Sequence, residues 1–185
     1  MADFVEASEE PAGSAGAARA GDLAGFEALM RRHERLVLAT ALRLLGNLED
    51  AQDASQEVFL KLYRNLRKLD GANLAAWLYR VTVNVCHDTG RKRRPMEPVE
   101  DAEAVAAAPA RDASEEAERH RALDLGLRRL AERERTAVVL RDLEGLSTAE
   151  VARAMGSSEA TVRSQISQSR VKMRNFLEHY FGRRT

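Results

Sequence analysis

Residues 147–169, STAEVARAMGSSEATVRSQISQS, decide how the rest of this chain is read. Ser147 with Glu150 three residues later is a capping-box pattern, in which a hydroxyl and a carboxylate satisfy free backbone donors at a helix start. Ala152 has the small side chain needed where two helices cross closely, and Gly156 stands where a turn needs positive φ. A second helix then turns Val162 and Ile166 towards a core that continues through Met173, Phe176 and Leu177. The pattern predicts a helix-turn-helix, with Arg163, Ser167, Arg170 and Arg174 as an outward stripe on its second helix. Residues 153–185 carry 7 basic against 2 acidic residues. Such a helix fits a major groove, where Arg makes paired bonds to guanine and Ser or Thr reaches bases and phosphates. Two packed helices need a small residue and a glycine turn in any case, so a purely structural unit is the competing reading.

Outward from this unit, composition and charge divide the chain. Its 185 residues are more than half Ala, Leu, Arg, Glu and Lys, with 5% aromatics and 11 Gly, which favours helix over a sandwich or barrel. All four prolines, Pro11, Pro95, Pro98 and Pro109, fall in an N-terminal tail and a mid-chain segment. Proline breaks helices, so these mark linkers. The formal net charge of zero conceals alternating blocks: residues 1–22 carry 1 basic and 5 acidic residues, 23–95 carry 13 and 8, 96–122 carry 3 and 8, and 123–185 carry 12 and 8. The expected organisation is all-α. An acidic disordered tail (1–21) precedes a helical domain (22–94), a flexible acidic linker (95–119) and a second small helical domain (120–182) holding the helix-turn-helix.

The first domain can be placed from period and caps. Asp22 is a candidate cap for a helix with apolar positions Phe26, Leu29, Met30, Leu36, Val37, Leu44 and Leu45, ended by Gly46. A second helix starts near Asn47 and carries Ala51, Ser55, Val58 and Leu62 at spacings of four, three and four. After a turn over 68–73, a third buries Leu74, Leu78, Val81 and Val85, spaced the same way. On it Arg80, Asn84, His87 and Arg91 form a second, polar stripe that runs into GRKRR, residues 90–94. That basic run suits either nucleic-acid contact or a solvated helix end favoured by the dipole. Trp77 beside the apolar stripe reads as core packing, with base contact as the sharper alternative. Asp50, Asp53 and Glu57 read first as a soluble helix face.

Several function classes are excluded or left without support. No stretch free of charged residues reaches ten, so no membrane insertion is expected, and residues 1–6 show no secretory signal pattern. Cys86 is the single cysteine, so neither an internal disulfide nor a CxxC zinc site is available. Cys86 and His87 diverge by about 100° on a helix and chelate one metal poorly. There is no phosphate loop, no HExxH and no Cys–His dyad with an orienting partner. No enzyme, cofactor, metal or small-molecule substrate is expected.

Four stretches together resemble bacterial RNA polymerase sigma factors of the sigma-70 family, in their extracytoplasmic-function (ECF) group. EDAQDASQEVFLKL (49–62) resembles the helix that binds the polymerase clamp, and WLYRVTVNVCHDTGRKRR (77–94) the helix that melts and reads the promoter −10 element. LAERERTAVVLRDLEGL (130–146) resembles the helix leading into the upstream-binding module, and residues 147–170 resemble that module's core. The resemblance implies an initiation factor, cytoplasmic and without catalysis of its own. It implies core RNA polymerase bound by Asp50, Asp53, Gln56 and Glu57, and the −10 element read as melted strand by Arg80, Asn84, His87, Arg91 and Lys92. It implies the −35 element read as duplex by Thr161, Arg163, Ser164, Ser167, Gln168 and Arg170. It also implies an anti-sigma protein that sequesters the two modules, and no C-terminal sensory domain beyond Tyr180. Gln165, Gln168 and Ser169 stand where the family often has Arg, Arg and Ala, which predicts weaker phosphate attraction and a shift by Gln168 from guanine towards adenine. Pro95 to Arg119, 25 residues, reaches up to ~80 Å if extended, enough to separate two DNA-reading modules. Two rivals stay open: a self-sufficient repressor or activator whose first domain senses a ligand, and a protein-interaction module with an occluded helix-turn-helix.

Overall fold

The spacing of four, three and four becomes packing in the structure: Ala51, Ser55, Val58 and Leu62 are all buried on one face of their helix. The structure, a computed structural model, describes residues 23–66, 69, 73–93 and 114–182. Among these it contains seven α-helices and no strand. They are α1 (Leu23–Leu45), α2 (Leu48–Asn65), α3 (Leu74–Arg93), α4 (Glu115–Arg128), α5 (Glu132–Val138), α6 (Thr148–Met155) and α7 (Glu159–Gly182). The N-terminal tail, the Asp22 cap, most of the 68–73 turn, Arg94 at the end of the basic run and residues 95–113 of the expected linker lie outside the described residues.

The N-terminal set, α1–α3, packs all three helices against one another. Asn47 caps α2, its Oδ1 accepting the Asp50 N–H at 2.8 Å. On α3, Leu74, Leu78 and Val85 are buried and Val81 is half-buried. Thr82, Val83 and Cys86 are buried too, so α3 is covered on more of its circumference than one apolar stripe predicts.

The C-terminal set gathers α4, α5 and α6 on α7. Ser114 caps α4, and Glu115, Glu116 and Glu118 sit in its first turn, where the helix dipole favours anions. Residues 115–119 are therefore helix and not the end of a linker; the last three acids of the acidic run, Glu115, Glu116 and Glu118, are the charge of a helix start. Gly126 lets α4 approach α7 closely, since a Cβ there would come within 2.8 Å of the Met173 side chain. After Val138 the helix widens into a π segment, Val139–Leu143, closed by the Glu144 N–H to the Val139 carbonyl at 3.0 Å.

The two sets are not separate bodies. Helix α3 packs on α6, and one connected core runs through both sets, from Leu29, Leu62 and Leu78 to Leu140, Val151 and Val162. Each such fully buried Leu or Val contributes roughly 1.5–3 kcal/mol relative to exposure. Polar contacts close the seam. Glu144 pairs with Arg43 of α1 and accepts the Tyr79 hydroxyl of α3 at 3.2 Å. Arg135 donates to the Leu44 carbonyl at 2.7 Å, and Arg128 to that of Gly46. The sequence led us to expect two modules apart; the structure holds them together.

Candidate nucleic-acid interface

The helix-turn-helix is built by its caps. Ser147 and Glu150 complete the expected box: the Ser147 N–H donates to Glu150 Oε2 at 2.7 Å and the Ser147 hydroxyl to the same oxygen at 2.6 Å. Gly156 adopts φ 58°, a left-handed position that a side chain would strain. A second cap, not anticipated from the sequence, starts α7: Ser158 Oγ accepts the Thr161 N–H at 3.1 Å and lies 2.8 Å from the Thr161 hydroxyl. Its signal is plain in retrospect, a Ser two residues past the turn glycine with Thr three further on.

Hydrogen bonds from Ser147 hold the Glu150 carboxyl below its ordinary pKa. A depressed folded pKa gives stability that is present above the unfolded value, about 4.5, and lost as pH falls through the folded one. Acidification below that value is therefore expected to fray the start of α6. Amide protection at Ser147 and Glu150, corrected for the intrinsic pH dependence of exchange, should fall across this range in the native chain and stay flat in Glu150→Ala.

On α7, Val162, Ile166, Ser169 and Met173 are buried. The expected reading residues Thr161, Arg163, Ser164, Ser167, Gln168 and Arg170 are all exposed. Of the three departures from the resemblance, only Gln168 faces out. Ser169 is fully buried, its hydroxyl within reach of the Glu134 and Gln165 carbonyls at 2.9 and 2.6 Å. Gln165 is half-buried. Two cations of the stripe are held by carboxylates: Arg163 by Glu159 at 2.7 Å, one turn back on α7, and Arg170 by Asp142 of the π segment at 2.6 and 2.9 Å.

On α3, Arg80, Asn84, Arg91 and Lys92 are exposed, Arg91 paired with Asp88. Arg80 and Trp77 line a cleft of about 550 Å³ between α3 and α6, with Glu150 and Arg153 opposite. His87 departs from the expected stripe. It is half-buried against α5, Nε2 2.9 Å from Thr136 Oγ1 and Nδ1 3.5 Å from Glu132. The Thr136 hydroxyl also lies 2.9 Å from the Glu132 carbonyl, and the direction of its bond with His87 Nε2 follows the imidazole tautomer. Burial, with Arg133 and Arg91 adding to it against Glu132 and Asp88, lowers the His87 pKa. In this arrangement His87 serves the seam between the sets. Neighbouring Cys86 is buried, which pushes its thiol up to about 12.

The expected polymerase-binding residues also divide. Asp53, Gln56 and Glu57 are exposed on α2, Glu57 paired with Lys61 at 2.8 Å. Asp50 is buried, accepting from the Asn47 amide within the α2 cap. It is a structural residue here, because the position that suits a first-turn acid also turns back on the capping Asn. Asp53 and Gln56 border an open groove of about 750 Å³ between α1 and α2, walled by Phe26, Met30, Leu60 and Tyr63. Tyr63 meets Phe26 edge-on at 5.1 Å, yet it and Leu60 remain more than half exposed. The sequence reading missed this apolar line, although Gln56, Leu60 and Tyr63 repeat at four and three. No described helix is long and apolar enough to cross a membrane.

Fold and surfaces together define a two-set helical protein with an exposed helix-turn-helix. Residues 29–95 match the model of sigma-70 region 2, and residues 120–173 that of sigma-70 region 4. The ECF RNA polymerase sigma factor SigE of Mycolicibacterium smegmatis is 35% identical over 95% of this chain and 71% of its own length. SigM of Mycobacterium tuberculosis is 35% identical over 85% of the chain and 80% of its own. Among solved structures, CnrH in complex with the cytosolic domain of CnrY superposes with a TM-score of 0.66 at 27% identity, over 90% of this chain and 96% of that one. The chain belongs to the ECF sigma factors of the sigma-70 family. Its function is that of a sigma factor, promoter-specific transcription initiation.

Proposed function

We propose that this sigma factor reads two promoter elements by two kinds of physics while docked on core RNA polymerase. The C-terminal set presents the exposed face of α7 to the major groove of the −35 duplex, where Arg163, Ser164, Ser167, Gln168 and Arg170 meet bases and phosphates with Thr161 at the helix start. The N-terminal set holds the melted −10 strand along Arg80, Asn84, Arg91 and Lys92, cations gripping the backbone and the Asn84 amide offering a donor and an acceptor to an unstacked base. Asp53, Gln56 and Glu57 beside the α1–α2 groove meet the polymerase clamp. The observation that carries this reading is the pairing of an exposed α7, capped at its start by Ser158, with a second polar stripe on α3, on one chain.

The closed seam adds a step to the cycle. With α3 packed on α6, Arg80 of the α3 stripe lines the cleft with Glu150 and Arg153 opposite, so freeing that stripe for a DNA strand requires polymerase binding to part the sets. His87 then leaves Thr136 and rejoins the α3 stripe. The closed form is also the natural target of an inhibitor. CnrH was solved in complex with the cytosolic domain of CnrY, and a comparable anti-sigma protein would act on this chain by holding it closed.

Two substitutions separate the two kinds of reading. Arg163→Ala is expected to cost roughly 1–3 kcal/mol on the preferred upstream duplex, towards the low end because wild-type Arg163 must first leave Glu159, and to relax preference at one position. Asn84→Ala should leave that duplex affinity intact and slow opening of the downstream strand. Permanganate reactivity with polymerase present, beside upstream duplex binding, reads both. Normal opening by Asn84→Ala, or an equal loss on every sequence by Arg163→Ala, contradicts the corresponding assignment.

A further inference from the structure

Arg163 and Arg170 stand seven residues apart, two turns along the same flank of α7, yet they are held in different ways. The Arg163 partner, Glu159, lies on the same helix, and both side chains are about half exposed or more. The Arg170 partner, Asp142, lies 28 residues away on the π segment, and its side chain is only 27% exposed. Arg170 is thus fixed to the framework of its module, where Arg163 is fixed only to its own helix.

The π segment explains the aim of Asp142. Widening the turn over Val139–Leu143 sends three charged side chains in three directions. Arg141 turns down to the Leu146 carbonyl at 2.8 Å, Glu144 crosses to Arg43, and Asp142 reaches α7. The two bonds to Asp142 use Arg170 Nε–H and one N–H of Nη2. A guanidinium has five N–H donors in a rigid fork, so the Nη1–Nη2 edge is left whole and points away from the carboxylate. That edge matches the paired acceptors of guanine, O6 and N7.

We propose that Asp142 is a specificity-determining positioning residue: by gripping one edge of Arg170 it presents the other edge, in one orientation, to a guanine of the upstream duplex. The proposal rests on the α7 reading above. Asp142 touches no DNA itself. Its carboxylate also opposes phosphate attraction, so it sharpens sequence choice while lowering general affinity. A plain structural clasp between the π segment and α7 would do neither.

The test is selection from a duplex library randomised across the upstream element, using the full chain bound to a bacterial core RNA polymerase, with the recovered DNA sequenced. Wild type, Asp142→Asn, Asp142→Glu, Arg170→Ala and the Asp142→Asn/Arg170→Ala double variant are compared, with melting curves to show that each folds. Arg170→Ala should erase a guanine preference at one position. Asp142→Asn should weaken that same preference about tenfold while unselected DNA is retained as well as or better than by wild type. Asp142→Glu keeps the charge but shifts it by one methylene, so it should weaken the preference without raising retention. The double variant should match Arg170→Ala. An undiminished guanine preference in Asp142→Asn overturns the role of Asp142 and leaves the α7 reading standing. An equal loss on all sequences in Arg170→Ala assigns that residue to phosphate and overturns the proposal too. If wild type selects no upstream sequence, the α7 reading falls with it.

Discussion

Core RNA polymerase is expected to bind the Asp53→Ala/Gln56→Ala double variant ten- to a hundredfold more weakly than the wild-type chain, while the variant melts at the wild-type temperature. Both side chains are exposed on α2 and neither belongs to the core, so their loss leaves the fold alone. They border the groove whose walls, Phe26, Met30, Leu60 and Tyr63, offer apolar area to a partner. A few well-placed groups around such an apolar centre carry most of an interface's free energy, and each 1.4 kcal/mol lost is about tenfold in affinity. Leu60→Asp should weaken binding further, by placing a charge on that wall. Pull-down or fluorescence titration against core polymerase reads the effect, and unaltered affinity in both variants would move the docking surface elsewhere.

Glu144→Ala is expected to open the protein. Its carboxylate is one-tenth exposed, paired with Arg43 and accepting the Tyr79 hydroxyl. Burial, and then Glu144, push the Tyr79 pKa up, so the phenol remains a donor to Glu144 throughout the ordinary range. Removing Glu144 leaves that donor and the Arg43 guanidinium without their shared partner. Arg43 is about one-third exposed and water recovers part of the loss, so the closed form should lose roughly 1–3 kcal/mol, a shift of about five- to 150-fold towards the open form. Energy transfer between dyes on α1 and α7 should fall, and the radius of gyration should rise. Glu144→Gln, which can still accept from Tyr79, should open less. If both variants scatter as the wild type does, the apolar seam of α3 and α6 holds the closed form by itself.

What the sequence made legible was local. The four–three–four spacings on α2 and, apart from half-buried Val81, on α3, the helix start at Asn47, the Ser147 cap and the left-handed Gly156 all follow from contacts within a turn or two, and are found where the spacing put them. Exposure of the α7 reading face followed from the same period. The rest needed tertiary approach. Asp50 looked like a surface acid because its burial depends on how the chain turns at Asn47. By its spacing His87 belongs with the polar stripe, but the helix that half-buries it, α5, arrives from 45 residues further along. Nothing in VVLRDLEG announces a π segment, and so nothing announced that Asp142 and Glu144 point to different partners. The seam itself was hidden because its side-chain pairs, Glu144 with Arg43 and Tyr79, join residues far apart in sequence, and its other bonds end on backbone carbonyls at Leu44 and Gly46, which carry no sequence signal.

The closed seam and the promoter reading are two halves of one account: a factor that keeps its two modules together until polymerase separates them. The repressor and interaction-module alternatives need no polymerase and no melted strand. The most direct measurement is run-off transcription on fragmented genomic DNA with purified core polymerase and the full chain, followed by permanganate mapping of the templates that respond. The account predicts transcripts from discrete start sites only when chain and core are both present, with reactive thymines just upstream of each start and a protected duplex further upstream. Tight, sequence-specific duplex binding by the chain alone, with no transcripts and no reactive thymines when core is added, would contradict it.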